Sequence, residues 1–328
     1  MVTPEEVFVG SSEMAALLRS LDWSQTPLGA VETWPQSLRS TLSICLNSRF
    51  PIAIYWGAEF LLLYNDAWRP IVGDKHPWAI GRPAREVWSE IWEDIGPELA
   101  GVLATGEGTF HNDELLSMHR FGYTEECFFE YTFNPIQGQG GMIDGVFNVV
   151  SETTYRVLNE RRARLLRETA AKTGIAKTVE EACALMVEGL KSDPFDLPFA
   201  LLYLVSSDGK QARLWGSTEA IQDDGICPEI VDLTARNNDL WAIEQVVRRA
   251  EPQVIDNLES RFGKIPGSPW AEPPREAMVL PIVAAAQDKV TGVLVAVASP
   301  RRKLDDNYCD FFNQIATQIA TTITNAQA

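Results

Sequence analysis

A chain of 328 residues, 45% hydrophobic and 22% charged, is long enough for two ordinary domains with their own cores and too apolar to remain disordered. The formal net charge of −17 excludes a sequence-independent grip on nucleic acid, which needs clustered Lys and Arg against phosphate, and disfavours docking on an anionic membrane. No basic segment leads into an apolar one at the N-terminus, the apolar runs 277–286 and 290–298 are about half the length of a spanning helix, and the five cysteines form no CxxC pair, so a reduced cytoplasmic protein is expected.

Thr33-Trp34-Pro35-Gln36 reads as a capping box that opens a helix with Leu38, Leu42, Cys45 and Leu46 on one face. FPIAIYW and, after Gly57, FLLLYN then predict a hairpin of two short strands. Within LLLYNDAW (61–68), Asn65 or Asp66 supplies the acceptor for a helix start and Trp68 turns into the core. Pro77 keeps His76 extended. Gly81-Arg82-Pro83 opens a short helix with Trp88, Ile91 and Trp92 on one side; Gly96-Pro97 opens another, carrying Leu99, Val102 and Leu103 and ending at Gly106. GTFHNDELL, CFFEYTFNPI (127–136) and MIDGVFNVV (142–150) read as strands, the last two joined by QGQGG. The first part of the chain is therefore α+β, with five antiparallel strands and the helices clustered between them.

From 153 to about 173 the chain is charged and free of proline, with Leu158 and Leu165 one heptad apart and Leu166 beside the second. So narrow a stripe suits either a helix that pairs with another helix or a solvated linker. Thr178-Val179-Glu180-Glu181 starts a further helix ending near Leu190. FALLYLV (199–205) and ARLWGS (212–217) form a hairpin through SSDG. A helix over 240–249, a strand in PQVIDN, a proline-rich loop over 266–274 and strands over 277–285 and 290–299 follow. A last helix from Asp305 carries Phe311, Ile315, Ile319 and Ile323 at steps of four. This second part is again α+β, an antiparallel sheet flanked by helices.

FLLLYNDAW, GDKHPWAIGRPAREVWSEIW, GEGTF and the closing GVFNVVSETTYR resemble the sequence of a PAS domain. The lead-in DWSQTPLG and WPQSLRSTL is similar to the PAS subtype at the N-terminus of bacterial sensor histidine kinases. The second part resembles a GAF domain, most specifically over AMVLPIVAAAQDKVTGVLVAVASPRRKLDDNYCDFFNQIATQIATTITNAQA. The order PAS, helix, GAF is shared with that kinase family. The resemblance implies a PAS domain with a helical lead-in over 1–155, a connecting signalling helix over 156–173 and a GAF domain over 174–328. It also implies a function: the sensory region of a bacterial two-component protein that binds a small molecule or partner and relays the change through its helices to a histidine kinase. The final helix runs to TNAQA without a stop signal, so the natural protein is expected to continue.

A PAS-like cavity would lie between sheet and central helices, with Leu99, Val102, Leu103, Phe110, Tyr131, Phe133 and Phe147 as candidate lining. The three histidines, His76, His111 and His119, have no metal-ligand spacing, and burial or the surface accounts for them better than haem ligation. No cysteine precedes a histidine as bilin attachment requires, and Cys45 stands out of place for the flavin-binding pattern. No cofactor is therefore specified. GxSxG, P-loop and HExxH motifs are missing, as are a phosphoacceptor histidine and nucleotide-binding boxes, so no catalytic residue is assigned. The expected partner is a second copy of the chain, joined through Leu158, Leu165, Ile315, Ile319 and Ile323. Two alternatives stay open: a ligand-free dimerisation or adaptor module, and a thiol-dependent enzyme on the GAF scaffold using Cys183 or Cys227.

Overall fold

Period-two alternation along the apolar runs builds two antiparallel sheets in the computed structural model, one of five strands and one of six. The structure describes residues 3–220, 225–235, 240–265, 268–283 and 289–327. By internal contacts the chain divides into unit 1, Met1–Val157, and unit 2, Leu158–Ala328.

Unit 1 begins with helices α1 (Pro4–Val7), α2 (Glu13–Ser20) and α3 (Gln36–Asn47), followed by strands β1 (Ile52–Trp56) and β2 (Leu61–Tyr64). Helices α4 (Arg69–Val72), α5 (Ala84–Val87) and α6 (Trp92–Thr105) lead to β3 (Thr109–His119), β4 (Thr124–Gln137) and β5 (Ile143–Glu152). The strand order is β2-β1-β5-β4-β3. Helix α3 packs on one face of the sheet, with Leu38, Leu42, Cys45 and Leu46 buried. On the other face lie Tyr55, Tyr131, Phe133 and Val150, covered by α4 and α6.

Two helix starts differ from expectation. Thr33 does not cap α3: its hydroxyl donates to the Ala30 carbonyl, and Pro35, in an extended conformation, takes the N-cap position without a side-chain bond. Gly96-Pro97 does not begin a helix either but lies inside α6, which starts at Trp92. Gly96 is needed there because a Cβ would stand 2.6 Å from the Trp92 ring.

Helix α7 (Thr154–Thr173) begins at the end of unit 1 and continues into unit 2, where α8 (Val179–Leu190), β6 (Phe199–Val205), β7 (Gln211–Ser217) and β8 (Ile230–Asp232) follow. Next come α9 (Ile243–Arg249), β9 (Gln253–Ile255), α10 (Leu258–Phe262), β10 (Ala277–Val283), β11 (Val290–Val297) and α11 (Asp306–Gln327). The sheet order is β8-β7-β6-β11-β10-β9. Residues 266, 267, 284 and 285, at which the sequence reading placed part of a loop and a strand end, lie outside the described residues. Alternate residues of β6, β10 and β11 feed two separate cores. Leu202, Leu280 and Leu294 meet α8 and α11, whereas Leu201, Val279 and Val295 meet Trp241 and the α9 side.

The narrow stripe of α7 is used inside the chain. Leu165 joins the core of α8 and α11, the Gln318 amide donates to the Leu166 carbonyl at 3.2 Å, and Gly189 of α8 is so close that a Cβ would stand 2.8 Å from Thr169. Leu158, Leu165, Ile315, Ile319 and Ile323 are each 3% exposed or less. These five residues, expected at a dimer seam, are thus buried within the single chain.

Candidate functional site

Asn65, read from the sequence as a helix cap, does more than cap. Its Oδ1 accepts from the N–H groups of Trp68 (3.2 Å) and Ile52 (3.1 Å). Its Nδ2 donates to the carbonyls of Cys45 (3.0 Å), Ser48 (3.2 Å) and Phe50 (2.7 Å). One fully buried amide therefore ties the end of α3 and the start of β1 to the turn that aims Trp68 inward. Asp66 Oδ1 accepts from the Met14 N–H at 3.0 Å, which holds α2 to the same turn.

Behind that turn is a cavity of about 40 Å³. Its sheet wall comprises Tyr55 of β1, Leu116 and Met118 of β3, Phe129, Tyr131 and Phe133 of β4, and Asn148 and Val150 of β5. Trp68, Ile71, Trp88, Ile91 and Ile95 close the helical side. Of the seven lining residues expected from sequence, Tyr131 and Phe133 are at the cavity. Leu99 and Val102 are buried in the surrounding core, and Leu103 and Phe147 pack against that core, all four away from the lining. Phe110 is 63% exposed. The reason is register: Phe110 pairs with Thr132, and partners across an antiparallel pair share a face, so it points opposite to Tyr131 and Phe133. Trp68 and Trp88, which complete the site, carried the sequence signal of helix-face aromatics and were read only as core.

Two polar clusters border the cavity. Glu98 of α6 accepts from the Tyr131 hydroxyl (3.3 Å) and the Thr109 hydroxyl and bonds His111 Nε2 (2.9 Å), while His111 stacks on the Tyr131 ring at 4.8 Å. Burial, with the Glu98 charge, holds the Tyr131 phenol well above its usual range. At the other end, Arg120 is 5% exposed. Its Nε donates to Glu125 (2.7 Å), its two Nη groups grip Glu152 bidentately (2.9 and 2.8 Å), and Nη2 reaches Cys127 Sγ (3.3 Å) and Nη1 the Pro70 carbonyl (3.4 Å). Burial alone would lower its pKa; Glu152, Cys127 and Glu125 outweigh it and keep the guanidinium charged. Glu152 Oε1 also accepts from the Thr154 hydroxyl (2.8 Å), and that hydroxyl accepts from the Phe128 N–H (2.9 Å) at the first residue of α7.

His76 Nδ1 bonds the Tyr64 hydroxyl at 2.9 Å; burial and Arg69 lower its pKa, so the imidazole is neutral at pH 7. Among the described residues, no histidine lines the cavity. The thiol pair considered for catalysis is not brought together. Cys183 lies in the core with α8 and α11, Cys227 in the core on the opposite face of the sheet, and burial followed by Glu180 pushes the Cys183 thiol up to about 12. In unit 2 the conspicuous polar cluster is instead Arg161 and Arg162 of α7 against Asp193 and Asp196, with ion pairs of 2.7, 3.0 and 3.8 Å. Arg162 also lies over the Tyr308 ring at 4.1 Å and donates to Asn307 at 3.0 Å.

No curated protein matches the chain. Solved structures similar to it include the GAF domain of an Acinetobacter phosphoenolpyruvate-protein phosphotransferase, with 18% identity over 51% of this chain and 95% of that one and a TM-score of 0.38. A methyl-accepting chemotaxis protein follows at 16% identity, 50% and 98% coverage and a TM-score of 0.36. Free methionine-R-sulfoxide reductase from Neisseria meningitidis, in complex with its substrate, is similar at 14% identity, 51% and 90% coverage and a TM-score of 0.38. Residues 175–324 match the family model of the GAF domain, which covers the C-terminal part of the chain.

Proposed function

We propose that this chain is the sensory and signal-transmitting region of a bacterial two-component protein. In this reading a PAS domain over 1–155 senses a small molecule and passes the change through the signalling helix, 156–173, and the GAF domain, 174–328, to a histidine kinase in the cytoplasm. The observation that carries the reading is the position of Arg120. It bonds Glu125 at the start of β4, the carbonyl of Pro70 next to Ile71 of the helical wall, and Glu152, whose carboxylate holds the first residue of α7. A shift of the helical wall against the sheet would strain this fork, and a buried ion pair in low dielectric has few ways to relax other than moving its partner. A homodimer belongs to the same reading, with a seam outside the five residues already buried.

One observation favours a second reading, a ligand-free dimerisation or adaptor module: the cavity, at about 40 Å³, is far smaller than the several hundred Å³ of a pocket for a drug-sized ligand. Native mass spectrometry of freshly purified chain, followed by hydrogen exchange before and after removal of whatever is bound, separates the two. The sensing reading expects a small excess mass and a change of protection over 152–166 on its removal. A bare mass, with protection over 152–166 unmoved by any small-molecule fraction, would leave the adaptor.

A further inference from the structure

His111 stands between two carboxylates beside the unit 1 cavity. Its Nε2 lies 2.9 Å from Glu98 Oε1 on α6, and its Nδ1 lies 3.8 Å from Glu114 Oε2 on its own strand, β3. A carboxylate can only accept, so the neutral ring carries its proton on Nε2 and turns the bare Nδ1 lone pair towards Glu114. Protonation reverses that contact from repulsive to attractive and makes the bond to Glu98 charge-assisted. The imidazole also stacks on the Tyr131 ring, with centroids 4.8 Å apart and an interplanar angle of 18°, against an aromatic face that attracts a cation. Glu98 of α6, Glu114 of β3 and Tyr131 of β4 therefore all interact more favourably with the imidazolium than with the imidazole. Thr109, whose hydroxyl donates to the same Glu98 oxygen, carries no charge. The histidine side chain is 36% exposed, so protons reach it from solvent.

The elements so joined are the two sides of the cavity. Glu98 lies three residues beyond Ile95, on the same side of α6, and Ile95 helps to close the helical wall. Tyr131 lines the sheet wall, and its hydroxyl donates to Glu98 Oε2 at 3.3 Å. Glu98 is thus the point at which α6 is tied to β3 and β4, and His111 sets the strength of the tie. We propose that His111 is a proton-operated latch: in acid it fastens α6 through Glu98 to the sheet and holds the cavity wall shut, and as pH rises the tie slackens. The proposal rests on the sensing reading above and adds to it regulation of the same site by pH.

Two substitutions test it. His111→Gln keeps a donor for Glu98 but never gains a charge, and Glu114→Gln removes only the second carboxylate. Hydrogen exchange of the full chain is measured at about pH 5 and about pH 8, the limits between which imidazoles titrate, and corrected for the intrinsic effect of pH on exchange. Over 95–105 of α6 the unaltered chain should be about fivefold better protected at the acid end, the effect of one partly exposed ion pair. His111→Gln should show no such gain, and Glu114→Gln a smaller one. An equal gain in His111→Gln and the unaltered chain would overturn the latch, as would a loss of protection in acid. Either result leaves the sensing reading untouched, because that is decided separately by the mass of the purified chain. Should His111→Gln not fold, Glu114→Gln decides alone, since its side chain is 51% exposed and its replacement disturbs no core: a gain equal to that of the unaltered chain would overturn the proposal.

Discussion

Replacing Asp193 by Asn should remove one defined component of the pH dependence of stability. Asp193 is 5% exposed; its Oδ1 accepts from the Asp196 N–H at 3.2 Å, its nearest cation is Arg161 at 3.8 Å, and its Oδ2 has no partner. Burial first, and the Asp196 charge second, raise its pKa from the ordinary 3.8 to about 6. A carboxyl whose folded-state pKa lies above its unfolded one binds its proton more tightly when folded. The stabilisation is therefore complete below the unfolded value and lost as pH rises through about 6. About two pH units at 1.36 kcal/mol each set a ceiling of about 3 kcal/mol. In Asp193→Asn the amide oxygen can still accept from Asp196 and no charge is buried. Urea unfolding of both proteins from about pH 4 to about pH 8, with hydrogen exchange over 186–200 as a local readout, compares chains that share every other titrating group. The unaltered chain should lose about 2–3 kcal/mol more than the variant across that range. Parallel stability curves would refute the reasoning, as would a variant equally destabilised at every pH.

Asn65→Asp turns the donors facing three carbonyls into acceptors and should destabilise the chain by about 3 kcal/mol in the same unfolding assay, with protection lost first over 45–52. Gly73→Ala should cost about 3 kcal/mol or more, since Gly73 has φ +57° and a Cβ would stand 2.5 Å from the Arg120 carbonyl oxygen; a melting temperature within a degree of the unaltered chain would contradict this. Alkylation of the native protein, followed by mass spectrometry, should label Cys309 ahead of the buried Cys45, Cys127, Cys183 and Cys227.

The longer strands were legible because each carries either strict alternation or an unbroken apolar run bounded by turn residues. Tyr131 and Phe133, which line the cavity, lie on one of the strands so marked. Phe110 could not be placed from sequence, because its face depends on which residue of β4 lies opposite, and β3 shifts register between His111 and Glu114. β8 and α10, with three and five residues, are too short to give a periodic signal. Gly96-Pro97 is the usual mark of a helix start, and only the contact of Gly96 with Trp92 shows why it lies within one. Arg120 had no local signature at all: apart from Glu125 and Cys127, its acceptors are 32 and 50 residues away, on Glu152 and Pro70.

The five bonds of Asn65 also bear on where this fold begins. A fragment cut just before Pro51 would keep all five strands of the first sheet, yet it would strip the Asn65 amide of its acceptors at Cys45, Ser48 and Phe50. Donors stranded in that position would each need water in a place shaped to exclude it. The smallest autonomous piece is thus defined by an amide's unmet demand and not by the outer limits of the sheet, and any dissection of the chain has to start upstream of α3.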